Sequence, residues 1–358
     1  ECIRRLRPLS VESSMAEDVE ELCIEDERVS DLVRLTLTVL IGGSVCVLGI
    51  FLNSCLLIVF SRLRVLHTNL LYLALLAVFD ICVELSFILI FIVSHIYDFF
   101  NIYNLYLFWH WTVIPVSTIG QTLIAFSSYV IVAASLERYC TSLGRIFKSR
   151  HRVIAISVAG LIACLTRLTV FFEVDITINP ECEGYAYVRV ERSKITDNEF
   201  YYVVYMFWTR NVVNVFLPFI LLLFFNAAAM YNIGRKRSED PLMETPPLMT
   251  PLGEEFLRQS SSLKDASLTL AALVFSHLLT NTLNLILTIF EHISPETLQF
   301  NQLMYRYLSD LSSLFAVTGT AIRLPVYYFT NASMRTHIRK LFRSFTQSSL
   351  PPKMPASV

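Results

Sequence analysis

Ionisable residues interrupt stretches of this sequence that are otherwise apolar: Asp80, Glu84, Arg167, Arg210, Asp310 and Arg323. A charge in hydrocarbon costs a few kcal/mol, so such residues face other protein groups and mark function. Catalysis would need a paired set at one depth, two aspartates or a serine with a histidine. Asp80 and Asp310 fall at different depths, and His277 has no serine partner, so an intramembrane enzyme is not expected. Recognition suits the set better. Glu84, one helical turn beyond Asp80, joins Arg167, Glu173, Arg210 and Asp310 toward one end, with Gln121 and Asn281 as amides. Glu84 or Asp310 could take a ligand guanidinium in a charge-assisted, preferably bidentate contact, while Gln121 or Asn281 bonds a ligand amide. The alternative is internal pairing, for example of Asp310 with Arg210.

A second constellation is Glu137-Arg138-Tyr139, which closes an apolar run from Trp111 to Leu136 that holds no ionisable residue. An acid and an arginine where a membrane-length segment ends read either as an interfacial anchor or as a switch. In the second reading Glu137 holds Arg138 until a partner protein inserts.

The elements that must position these residues follow from composition. The chain has 358 residues, 54% hydrophobic and 16% charged, and a mean hydropathy of +0.54; it is an integral membrane protein. A helix needs about 20 residues to cross the hydrocarbon layer, and seven runs reach that length: 35–60, 70–96, 108–136, 153–175, 201–232, 266–290 and 303–329. Strands of a barrel would be half as long and would alternate, so the expected fold is an all-α bundle of seven transmembrane helices. The odd connections and the C-terminal tail carry sixteen Lys or Arg, the N-terminal tail and even connections seven. That bias places the N-terminus outside and the Glu137-Arg138-Tyr139 end in the cytoplasm.

Residues 1–31, with ten acids and four arginines, read as a disordered extracellular tail. They hold no signal peptide, so insertion would rest on the first span. The connection 234–265 contains Pro241, Pro246, Pro247 and Pro251 and reads as a flexible loop. Asn331 can cap an amphipathic eighth helix over 331–345, with Met334, Ile338, Leu341, Phe342 and Phe345 on one face, lying in the inner lipid interface before a tail at 346–358. Trp109, Trp111 and Trp208 read as interfacial belt residues first and as pocket walls second.

With these spans in place, the sequence resembles a rhodopsin-like G-protein-coupled receptor over nearly all of residues 35–345. The resemblance is carried by Gly49-Ile50-Phe51-Leu52-Asn53, by Leu73 to Asp80, by Glu137-Arg138-Tyr139, by Pro218, and by Leu324-Pro325-Val326-Tyr327-Tyr328, where leucine replaces the asparagine of the seventh-helix motif. Arg167 to Glu173 and Thr280 to Leu287 are similar to invertebrate FMRFamide-type neuropeptide receptors. The resemblance implies that Arg138 and Tyr328, with Pro325 in the same motif, face a G protein. It implies a water and sodium network around Asp80, Asn53 and Ser127, unless the neighbouring Arg323 makes that site a salt bridge. Gly120 stands where amine receptors carry an aspartate, which disfavours a small amine. Val113 stands where the family has a third-helix cysteine, so Cys182 needs another partner, Cys23 or Cys2. The fourth helix lacks the family's tryptophan, the sixth lacks its tryptophan and proline, and Asn226 replaces the tyrosine of the fifth.

The implied protein is a plasma-membrane receptor without a cofactor. Its partners would be an extracellular peptide with an amidated, RFamide-like end, a heterotrimeric G protein, arrestin and membrane lipids, with no nucleic acid. A receptor for a non-peptide or chemosensory ligand is the alternative within the class. A seven-span transporter is the rival outside it, and the halves of the chain show no internal repeat. A retinal pigment is excluded, because no lysine lies between Lys264 and Lys340 to form a Schiff base.

Overall fold

The computed structural model describes residues 32–61, 70–182, 184–239, 302–330 and 334–339, together with 268–269, 271–276, 279–280, 282–283, 286–287 and 289–290. Backbone polar groups in lipid have to be satisfied within their own segment, and the apolar runs accordingly form helices. These are α1 (Leu32–Ser61), α2 (Leu70–Phe100), α3 (Tyr103–Ser142) and α4 (Ser149–Phe172), then α5 over 201–239. Helical residues described between 268 and 290 make up α6. α7 is Gln302–Ala321 continued by Arg323–Thr330, and α8 covers 334–339. Five of the described helices, α1 to α5, are long and apolar enough to cross a membrane.

Local chemistry sets the breaks. α2 ends at Asn101, whose φ of 53° and ψ of 47° give the left-handed cap that asparagine tolerates, and α3 begins two residues later. After α3, Gly144 takes a φ of 85°; Gly144 N–H then reaches Thr141 O and Arg145 N–H reaches Cys140 O, closing the helix end. The first half of α5 is wound as π-helix over Tyr201–Thr209 and Val212–Phe216, before Pro218, which has no N–H to donate. α5 runs on to Glu239, so the loop expected from 234 begins later.

α3 is the central post. The most apolar window of α3 is 61% buried, against 22% in each of α1, α4 and α5, whose outer faces are left to lipid. Toward the Arg138 end the core gathers Leu56, Phe60, Tyr72, Leu76, Val130, Ile131, Leu222 and Tyr327, with Met334 and Ile338 of α8. A smaller cluster of Cys46, Phe87, Ile92, Leu314 and Val317 packs α1, α2 and α7 further along.

Between α4 and α5 lies an antiparallel hairpin, β1 (Val174–Ile178) with β2 (Val188–Arg192), paired Val174 to Arg192 through Ile178 to Val188. Tyr106 of α3 holds it: the phenol donates to Tyr185 O at 2.8 Å and to Val188 O, and accepts Val188 N–H at 3.1 Å. Cys182, in the hairpin connection, is buried and disulfide-bonded. The other described cysteines are all free thiols, so its partner lies outside the described residues. Cys2 and Cys23 are both in that region, as are the 1–31 tail, His277, Asn281 and Asn331, the cap expected from sequence.

Candidate functional site

At the hairpin end, α2, α3, α4, α5 and α7, with Thr280 of α6, surround a cavity of about 580 Å3. Its described lining combines apolar walls (Phe87, Phe91, Ile124, Val215) with Gln121, Asn211, Asn214, the serines at 86, 117, 128, 312 and 313, and two arginines, Arg167 and Arg210. Gly120 lines it as well; a Cβ there would stand 3.2 Å from Ser86 Cβ, so glycine lets α3 and α2 approach at the cavity wall.

The two arginines differ in their partners. Arg210 is ion-paired through Nη2 to Glu173, which also accepts the Tyr201 hydroxyl at 2.7 Å; its guanidinium lies 5.8 Å from the Tyr205 ring centre. Arg167 donates Nη1 to Gln121 Oε1 at 3.1 Å and is in no ion pair with a described residue. Beside them Thr166 donates to Asn214 Oδ1 at 2.9 Å, tying α4 to the π-wound part of α5.

Three acids expected near a ligand are not among the lining residues. Glu173 belongs to Arg210. Asp310 pairs not with Arg210 but with Arg34 of α1, at 2.7 Å, with His95 Nε2 3.9 Å away; Arg34 was missed because it sits at the fringe of the first span rather than within it. Glu84 is fully buried on the other side of α2, against α1 and α7, where its Oε1 accepts Asn53 Nδ2 at 3.3 Å and the Thr320 hydroxyl at 3.1 Å. A Cβ on Gly49 would come within 2.1 Å of that same oxygen, so glycine is required for the contact. In place of a ligand guanidinium, Asp310 is ion-paired with Arg34, and Glu84 is hydrogen-bonded by Asn53 and Thr320.

Mid-bundle, Asp80 is ion-paired to Arg323 Nη1 at 2.9 Å, both groups being buried. The expected polar network is therefore divided. Asn53 serves Glu84, Asp80 serves Arg323, and Ser127 lines a small chamber of about 40 Å3 with Arg323 and Thr320. A sodium ion at Asp80 would have to displace the guanidinium that already neutralises it, so the salt bridge supersedes the sodium expectation.

At the far end of α3 the expected Glu137–Arg138 clasp is absent. Glu137 is instead chelated by Arg152 of α4, through Nε at 3.0 and 2.9 Å and Nη2 at 2.6 Å. The fork geometry of a guanidinium suits this, whereas Arg138, the next residue on the helix, points elsewhere. Arg138 Nη1 is buried without a hydrogen-bond partner, within electrostatic reach of Tyr327 and, more weakly, of Glu137. Tyr327 is buried, with its own hydroxyl unpartnered. Tyr328, expected beside Arg138, is taken by α8: its hydroxyl accepts Arg339 Nε and its carbonyl accepts Arg335 Nε, each at 3.1 Å. Tyr139 packs on Phe225 of α5, ring centres 5.9 Å apart. Trp109 donates to Ile90 O at 2.8 Å and so fastens α3 to α2, while Trp111 and Trp208 are more than half exposed, as belt residues are.

A bundle of lipid-facing helices around a buried central one, with a polar cavity at one end and an unclasped arginine at the other, defines a multi-pass membrane protein of the seven-helix class. Among solved structures, the crystal structure of squid rhodopsin is similar with a TM-score of 0.68 and 15% identity, covering 94% of this chain and 96% of that one. No family model and no curated protein matches the sequence. The chain therefore has the rhodopsin fold, an all-α seven-transmembrane-helix architecture.

Proposed function

We propose that this protein is a G-protein-coupled receptor of the plasma membrane, with its N-terminus outside, that binds an extracellular neuropeptide in the hairpin-end cavity and activates a heterotrimeric G protein at the Arg138 end. The observation that carries the reading is that one buried helix joins both sites. Gln121 lines the cavity and Arg138 closes the other end of α3, 17 residues apart and so separated by about 25 Å at helical rise. The cavity has the volume of a site for a ligand of drug size or a peptide end. Its amides and serines can bond a peptide backbone, and the hairpin fastened by Tyr106 stands over the bundle at that end.

Arg138, Tyr139, Pro325, Tyr327 and Tyr328 form the G-protein side, with Glu137 fixed on Arg152. Agonist control then requires a ligand with different affinities for two arrangements of the helices. The test is G-protein dissociation in cells expressing the chain, challenged with peptides that are either amidated or carry a free terminus. A potent response that disappears in Arg138→Ala, with surface expression retained, is expected. Ligand-dependent uptake of a solute without G-protein dissociation would instead make the chain a transporter.

A further inference from the structure

We infer that the cavity takes the anionic end of its ligand, a carboxylate docked on Arg167 between α3, α4 and α5. The inference rests on the receptor reading above and concerns the same cavity. Its described lining contains two guanidinium groups and no carboxylate. Glu173 neutralises Arg210, and no described acid neutralises Arg167. Arg167 is half-buried, and a cation withdrawn from water without a counter-charge is costly, so an anionic group entering the cavity would supply what no described acid does.

The unpaired polar atoms point the same way. Three buried side-chain atoms of lining residues have no hydrogen-bond partner: Arg167 Nε, Arg210 Nε and Asn214 Nδ2. All three are donors, and no described lining residue leaves a buried acceptor unpaired. A ligand group complementary to this donor excess brings acceptor oxygens and a negative charge. A carboxylate does both, and a guanidinium receives it in a two-bond fork. Gln121 Oε1 already takes one N–H of Arg167, which orients the guanidinium but supplies no charge. Phe87, Phe91 and Val215 offer apolar contact for the part of the ligand next to the carboxylate. An arginine-bearing, amidated end would meet Arg167 and no acid among the described lining residues. Two sources share the required chemistry, the free C-terminus of a peptide and a small organic acid.

The experiment uses the full chain in nanodiscs of zwitterionic lipid, with thermal-shift titrations of four probe pools. These are N-acetylated tetrapeptides with a free C-terminal carboxylate, the same peptides amidated, aromatic monocarboxylic acids, and their primary amides. One or both carboxylate pools are expected to raise the unfolding midpoint, and neither amide pool. Response to the peptide acids identifies a peptide terminus; response to the aromatic acids alone identifies a small organic acid. Arg167→Gln is expected to weaken the responding pool by about tenfold or more, and Arg167→Lys to keep part of the response. Gln121→Glu keeps the arginine but gives it an internal carboxylate, so it should abolish the response while leaving the unliganded midpoint unchanged or higher. Equal shifts from amides and acids, no shift from any pool, or a full response in Gln121→Glu overturns the inference. The same pools are applied to cells carrying a G-protein sensor. Carboxylate binding without G-protein activation overturns the receptor reading and leaves the anion site; activation by amidated, arginine-bearing ligands alone overturns the anion site and leaves the receptor reading.

Discussion

Glu137 and Arg152 illustrate how a single residue's partner decides its effect. Both side chains are about nine-tenths buried, and removing one leaves the other as an uncompensated charge. Arg152→Ala should therefore destabilise the protein by about 3 kcal/mol, seen as a lower unfolding midpoint in detergent. The double variant Glu137→Gln with Arg152→Gln, which removes both charges, should recover part of that loss; an Arg152→Ala midpoint equal to wild type would contradict the pairing. Gly49→Ala is expected to cost about 1–3 kcal/mol through overpacking, because the new methyl falls on Glu84 Oε1; unchanged stability in the same assay would show that Glu84 lies elsewhere. Glu84→Gln and Asp310→Asn, which alter acids outside the cavity lining, should leave agonist potency at its wild-type value once surface expression is matched. A selective loss of potency in either would return that acid to the ligand site.

Among the elements, the hairpin depends on two fastenings. One is the Tyr106 hydroxyl and the other the disulfide of Cys182. A crosslink to a distant part of the chain removes conformational freedom from the unfolded ensemble, on the order of 2–4 kcal/mol. Cys182→Ser should accordingly lower surface expression and the unfolding midpoint, and full expression with an unchanged midpoint would remove that role. The π-wound half of α5 has a comparable importance for the cavity. It brings Asn214 and, between its two π segments, Arg210 to the cavity wall, where Thr166 of α4 and Glu173, just beyond α4, meet them. π-windings recur at functional sites because they re-aim side chains within a continuous helix.

For the whole molecule, the buried α3 links the two ends while the outer helices present Phe51, Leu161, Leu165 and Phe224 outward, as a lipid-facing surface requires. Arg138→Ala should abolish agonist-driven G-protein dissociation without changing surface expression, since Arg138 closes no ion pair with a described residue. Retained signalling in that variant would remove Arg138 from the coupling surface. Mid-bundle, the Asp80–Arg323 pair joins α2 to α7, so any motion of α7 toward an active arrangement has to carry or break it.

Apolar runs of membrane length, their basic connections and the order of motifs from Asn53 to Tyr328 were sufficient to read the seven-helix class from sequence, because bilayer thickness and backbone hydrogen bonding leave a chain of this composition few alternatives. Arg167, Gln121 and Arg210 were likewise legible as lining residues, being polar groups in otherwise apolar helices. The sign of the cavity was not. Spacing along one helix says which face a charge occupies, but not which neighbouring helix answers it. Only tertiary packing put Glu84 against Asn53, Asp310 against Arg34 and Glu137 against Arg152, and thereby left Arg167 without a described acid. A buried charge is satisfied by whatever lies within about 3 Å, and that distance is set by how helices far apart in sequence are brought together.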